Sequence, residues 1–294
     1  GFKGISWQYR TFDRNLTEWG YENNLNVFGA PYDYRMMSIN SLIQSGFMDD
    51  MKNLIEKAYQ LNNNTKVMII GHSNGGPQSY SFLSYMSKEW KDQYINGLIG
   101  LSGNFLGQMN AYKSFFETKN INRLNMLTSW ESTYTSSSWG DYKSLQNIGP
   151  IVTTYYNSNQ ETNYSVSLTD MSTLFSSVGH EDWSLRLQAV YPTMNRTQSL
   201  GVNIHCLYGQ GLNTSYSFVF KNNILEDEPI SIRYRDGDSN QDIEDNTFCN
   251  VWQDEDNDDN DKTFESIGFD GVAHMDMISN EQVLEYVRSI LFSN

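Results

Sequence analysis

The sequence predicts an α/β fold, a mainly parallel sheet covered by helices and interrupted by an inserted cap. Three observations predict it. Between residues 42 and 101, amphipathic and short apolar segments alternate as helix, strand, turn, helix and strand, the order that builds parallel sheets. From 105 to 200 this order lapses into Ser, Thr, Tyr and Asn with scattered aromatics. From 202 onward strand-like runs return, and the chain closes on a periodic helix.

Each element has its own warrant. Phe47, Met48, Met51, Leu54, Ile55, Ala58 and Tyr59 recur at three- and four-residue spacing, which predicts an amphipathic helix over 42–59. The polar turn Asn62, Asn63, Asn64 follows, then a short apolar run over 66–70 that reads as a buried strand. Gly71 to Pro77 breaks the run, and Pro77 suits the first turn of a helix carrying Tyr80, Leu83, Met86 and Trp90. Leu98 to Leu101 is the next strand. Later strands are expected at 202–208, 216–220 and 230–234, and Val283, Leu284, Val287, Ile290 and Leu291 predict a helix over 280–292. The expected organisation is a first part of the core over 1–104, the cap over 105–200, and a second part of the core over 201–294. There is no internal repeat, and the acidic run Asp254 to Asp261 reads as an exposed loop.

Composition excludes several classes. With 20 Lys+Arg against 35 Asp+Glu, the formal net charge of −15 argues against nucleic acid as a partner, since such binding rests on basic side chains displacing counterions from phosphates. Aromatics at 14% are too many for a disordered chain. Apolar runs such as Val67-Met68-Ile69-Ile70 fall far short of the roughly 20 residues of a spanning helix. Residue 1 is Gly, so the chain is read as a processed product or a fragment. Sequons at Asn15, Asn63, Asn163, Asn195 and Asn213 favour a secretory, lysosomal or extracellular address. The two cysteines, Cys206 and Cys249, admit one disulfide or two free thiols.

Gly71-His72-Ser73-Asn74-Gly75 is a Gly-x-Ser-x-Gly sequence between a predicted strand and a predicted helix. That context is the nucleophile elbow of an α/β-hydrolase fold, in which glycines permit a sharp turn that lifts the serine hydroxyl off the sheet. A serine nucleophile needs a base, and the base an orienting acid, in the chain order Ser, Asp or Glu, His. Among the four histidines, His72 neighbours the serine and points away from it. His180 and His205 precede most candidate acids, and His205 reads as a packed strand residue. His274, in a loop before the last helix, is the expected base. Asp236 and Asp238 follow the 230–234 strand, and either one is a candidate to orient it. A calcium-loop reading of Asp236, Asp238, Asn240 and Asp242 lacks the sixth-position Gly and the twelfth-position acid. One built on Asp254, Asp256, Asp258 and Glu265 has Asp259 where glycine belongs. No metal site is expected.

Over most of its length the chain resembles the lecithin:cholesterol acyltransferase and lysosomal phospholipase A family. The resemblance rests on Gly29-Ala30-Pro31-Tyr32-Asp33-Tyr34-Arg35, the Gly-His-Ser-x-Gly elbow, Trp90-Lys91-Asp92 with Ile95-Asn96-Gly97, and Cys206-Leu207-Tyr208-Gly209-Gln210-Gly211. It continues through Tyr234, Asp236-Gly237-Asp238, Cys249, Trp252 and the His274 loop, in the family's order. It implies Ser73 as nucleophile, Asp238 as acid, His274 as base, the Asn74 backbone N–H as an oxyanion donor, and Cys206 with Cys249 as a disulfide. It also implies a phospholipid ester substrate at a membrane or lipoprotein surface, no cofactor, and water or a lipid alcohol as acyl acceptor.

Three departures from the family pattern set expectations. The family's first strands, its second oxyanion donor and its membrane-binding subdomain are not in these residues, which points to a separate N-terminal segment of the same precursor as a partner. Asn74 replaces an apolar residue, and Ser239-Asn240-Gln241 replaces the small-Thr-Val continuation after the acid. The rival reading is therefore a catalytically inactive hydrolase-fold protein with a structural or interaction role, while a general carboxylesterase or peptidase fits the motifs outside the elbow less well. Trp130, Tyr155, Tyr156, Phe175 and Trp183 of the cap are expected to wall an acyl channel or simply to form cap core.

Overall fold

The computed structural model describes residues 7–33, 36, 38–105, 153–157, 162–166, 181, 185, 196–220, 231–253 and 262–293. Its centre is a parallel sheet of β1 (Val67–His72), β2 (Ile95–Leu101), β5 (Asn203–Gln210) and β8 (Phe264–Asp270), in the order β1-β2-β5-β8. The register sets Ile69 beside Leu98, Leu98 beside Ile204, and Leu207 beside Ile267. Side chains alternate between the two faces, as the period of two in a strand demands. Leu98, Ile204 and Cys206 join a core with Met48, Met51, Ile55, Phe82, Leu83 and Trp252. Ile99, Leu101 and Leu207 join the opposite core with Phe12, Leu16, Val283, Leu284 and Val287.

Helices cover both faces. On one lie α2 (Ile39–Gln44), α3 (Phe47–Leu61), α4 (Gly75–Tyr85) and α5 (Lys88–Tyr94), and on the other α1 (Arg10–Glu18) and α7 (Glu281–Phe292). The short α6 spans Ile243–Asn246. Parallel strands, helices on both faces and a strand–turn–helix at Ser73 make this an α/β-hydrolase core. No helix among the described residues is long and apolar enough to cross a membrane.

The structure departs from the sequence expectation in four ways. The helix expected to carry Tyr80, Leu83, Met86 and Trp90 is parted into α4 and α5, because Met86 and Ser87 turn extended and the Ser87 side chain caps α5. The helix predicted over 42–59 is two helices, because Gly46 takes a left-handed φ of 79° between α2 and α3. The strands expected at 216–220 and 230–234 are β6 (Thr214–Phe220) and β7 (Ser231–Arg235). They lie outside the parallel sheet, in a second sheet of order β4-β3-β6-β7 with β3 (Thr153–Asn157) and β4 (Thr162–Val166). Finally, β8 completes the parallel sheet from a segment where no strand was expected. The acidic run 254–261 and most of the cap region lie outside the described residues.

Within the described residues β1 ends the parallel sheet, with β2 as its one strand neighbour. A cavity of about 920 Å³ runs along its outer edge, lined among others by Phe12, Leu16, Met51, Ile55, Met68 and Ile70. Ser73, Asp238 and His274 do not line it.

Candidate active site

Ser73 lies between β1 and α4 with φ 55°, in the left-handed region that non-glycine residues seldom occupy. The turn closes so tightly that a Cβ on Gly71 would lie 2.6 Å from the Gly75 carbonyl oxygen. The Ser73 N–H donates to the Leu101 carbonyl at 3.0 Å, tying the turn to the end of β2. Asn74 is the N-cap of α4, so its N–H stands at the positive end of that helix. Its side-chain oxygen accepts from the Asn104 amide.

The acid loop is built from the other half of the chain. It follows β7, and Arg235 at the end of that strand holds Asp242 at 2.7 Å and Glu244 at 2.6 Å. Asp242 also caps α6, accepting from the N–H groups of Glu244 and Asp245. The structure separates the two aspartates that the sequence left as alternatives. Asp236 Oδ1 accepts from the N–H groups of Gly211 at 2.6 Å and Gly237 at 2.7 Å. Asp238, fully buried, has Oδ1 accepting from Asn240 N–H at 3.0 Å and Gln241 N–H at 2.7 Å, and turns Oδ2 to His274 Nδ1 at 2.8 Å. Burial pushes its carboxyl up, but the His274 hydrogen bond and charge, with the two N–H donors, outweigh burial and hold it below the usual carboxylate range.

His274 opens a 3-10 turn, His274–Ile278, between β8 and α7. It is 4% exposed, and its Nε2 lies 2.9 Å from Ser73 Oγ. The acid and base loops close on each other across Gly209 of β5, where a Cβ would clash with the Val272 carbonyl oxygen and approach Asp238 Cβ to 3.0 Å. A chain of two side-chain hydrogen bonds thus joins Ser73, His274 and Asp238. This arrangement suits proton removal from a serine hydroxyl by an oriented imidazole.

The remaining predicted residues fall as follows. Cys206 and Cys249 are joined by a disulfide. His205 is buried in β5, with Nδ1 2.7 Å from Glu265 Oε2 on β8. Asn63 and Asn213 are exposed, and Asn15 is half-buried, its amide donating to the Thr11 carbonyl. Asn163 lies in β4, and Asn195 and His180 fall outside the described residues, as do the side chains of Trp130, Tyr155, Tyr156, Phe175 and Trp183. Among the described residues no group of three or more His, Cys, Asp and Glu is arranged to hold a metal ion.

Sequence reasoning missed His72 as part of the site. Its ring lies between the Tyr9 hydroxyl and the His274 carbonyl oxygen. It also missed Asp245, fully buried behind Asp238, whose carboxyl is raised by burial and then by Asp242. The Asp-Ile-Glu-Asp cap of α6 was a usable signal for that loop. Nothing local in the sequence marks the partners of His72.

The family model for lecithin:cholesterol acyltransferase matches residues 2–139 and 125–281. Human lysosomal phospholipase A and acyltransferase is 26% identical over 297 residues, 96% of this chain and 66% of that protein. Mouse phosphatidylcholine-sterol acyltransferase is 24% identical over 287 residues, 96% of this chain and 62% of that protein. Lecithin-cholesterol acyltransferase-like 1 of Arabidopsis thaliana is 24% identical, over 91% of this chain and 61% of that protein. The chain thus spans about two thirds of the length of these curated relatives. Among solved structures, a lipase-esterase related protein of Clostridium acetobutylicum aligns with TM-score 0.39 and 10% identity, covering 96% of this chain and 88% of that one.

Proposed function

Because the chain belongs to the lecithin:cholesterol acyltransferase family, we propose that it moves a fatty acyl group from a phospholipid ester through an acyl-enzyme on Ser73. The observation that carries this reading is the hydrogen-bond chain from Ser73 Oγ through His274 to Asp238, set at a strand–turn–helix elbow. In the first half-reaction, Ser73 Oγ attacks the ester carbonyl carbon while His274 Nε2 takes its proton. Asp238 keeps the other ring nitrogen protonated and faces the imidazolium that forms. The negative charge on the tetrahedral oxygen is met by the Asn74 N–H at the start of α4. Collapse breaks the ester C–O bond, and His274 passes its proton to the departing lysophospholipid oxygen. In the second half-reaction His274 deprotonates water or a lipid alcohol, which attacks the acyl-enzyme and regenerates Ser73.

The substrate is presented at a membrane or lipoprotein surface, and the protein works in the secretory pathway, in a lysosomal or extracellular setting. The disulfide and the exposed sequons at Asn63 and Asn213 favour that address.

Labelling of the purified protein with a fluorophosphonate, followed by mass spectrometry of the modified peptide, tests the reading. The expected result is modification at Ser73, abolished in Ser73→Ala and followed by phospholipid turnover in the unaltered protein. A folded protein that never labels, in a sample retaining any N-terminal segment of the same precursor, would instead be a hydrolase-fold scaffold.

A further inference from the structure

His72 is the last residue of β1, 7% exposed and next in sequence to Ser73. Its Nε2 lies 3.0 Å from the carbonyl oxygen of His274, and its Nδ1 lies 3.3 Å from the Tyr9 hydroxyl. A carbonyl oxygen only accepts, so Nε2 must carry the hydrogen. In the neutral ring Nδ1 is then an acceptor, and the Tyr9 O–H donates to it. One neutral tautomer satisfies both contacts.

The consequence falls on His274. Its own N–H donates to the Asp238 carbonyl at 2.9 Å, so the residue carrying the base is held on its backbone at both ends. One end is tied to the acid's residue, the other to the residue preceding the nucleophile. Without the His72 contact, the His274 carbonyl loses its tie to β1, and the imidazole is fixed to the elbow only through the reacting Oγ itself. The two rings are also close, with centroids 5.1 Å apart, so any charge on His72 bears directly on His274.

We propose that His72 is a positioning residue for acyl transfer: a neutral imidazole, set by Tyr9, that ties the His274 backbone to the nucleophile's strand. This rests on the acyl-transfer reading above. Burial, then the charge of His274, lowers the His72 pKa to about 4, against smaller opposing effects of the His274 carbonyl and of Asp238. The ring therefore stays uncharged while His274 becomes an imidazolium. The titratable groups facing it are Tyr9 ahead of α1, His274 ahead of α7 and Asp238 in the acid loop.

The test compares His72→Phe, which keeps a ring without a donor, with His72→Gln, whose amide N–H reaches toward the position of Nε2, and with Tyr9→Phe. The measurements are the inactivation rate and binding constant for fluorophosphonate at Ser73 across pH, and imidazole ¹⁵N shifts of the full chain. His72→Phe is expected to slow inactivation about 10- to 100-fold with little change in the binding constant. His72→Gln is expected to recover most of that loss, and Tyr9→Phe to move the acidic limb of the pH profile upward. Spectra should show His72 protonated on Nε2 and bare on Nδ1.

Unchanged rates in His72→Phe overturn the proposal, as does an equal loss in Phe and Gln variants that tracks melting temperature alone. If His72→Phe does not fold, the Gln and Tyr9→Phe profiles decide. His72 protonated on Nδ1 overturns it whether or not Ser73 labels. Failure of the unaltered protein to label, with the expected tautomer present, removes the acyl-transfer reading instead.

Discussion

Asp238 gives both carboxylate oxygens to hydrogen bonds in a fully buried loop, which makes its charge useful and its replacement costly. Asp238→Asn leaves the shape but loses the charge that orients His274, and an amide in this role typically lowers rate about 10⁴-fold. Fluorophosphonate labelling kinetics at Ser73 will measure it. Acid stability is governed in part by His72. Its folded pKa of about 4 lies below the ordinary value near 6.5, so between those pH values the unfolded chain binds the proton and the folded protein does not. Stability therefore falls as pH drops from 6.5 to 4, by up to about 3 kcal/mol, and levels off below. Asp238 adds the opposite group type with the same sense: its depressed pKa contributes stability above the ordinary carboxylate range that is lost in stronger acid. Denaturant titrations at pH 7 and pH 4.5 should show a smaller pH difference in His72→Gln than in the unaltered protein.

At the scale of elements, the site's parts were legible where a local rule fixes them, and less so where distant packing does. The elbow was readable because strand, Gly-x-Ser-x-Gly and helix are contiguous, and His274 because only four histidines compete for the base. The choice between Asp236 and Asp238 needed the family resemblance, since both sit in the same turn and only tertiary structure aims one carboxylate at His274. The break at Gly46 stayed hidden because apolar spacing continues through it. The β8 segment was missed because Glu265, Ser266 and Gly268 dilute its apolar pattern. Partners in the second sheet were unreadable, since β6 pairs with β3 across a long stretch of chain.

Two element-level predictions follow from the loop junctions. Gly209→Ala drives a methyl into the Val272 carbonyl between the acid and base loops, and is expected to slow Ser73 labelling about 100-fold. Replacing Cys249 by Ser opens a disulfide of sequence separation 43. By the chain-entropy account that loses about 4 kcal/mol, which a shifted denaturant midpoint will report.

For the whole molecule, the net charge of −15 and pI near 4.6 place charge neutrality close to pH 5. Repulsion from an anionic bilayer should then weaken on acidification. Phospholipid turnover on anionic vesicles is expected to be higher at pH 5 than at pH 7.5, and equal rates at the two pH values would remove this argument. The end position of β1 has a consequence in time as well as in space. Strands β2 and β5 are bonded on both sides, whereas β1 is bonded among the described residues on one. Its outward amides should exchange with deuterium sooner than those of β5, because opening β1 disrupts a single ladder. On heating, Ser73 should stop labelling at temperatures where the centre of the sheet still resists exchange. Ser73 is thus carried by a strand at an end of the parallel sheet rather than at its centre.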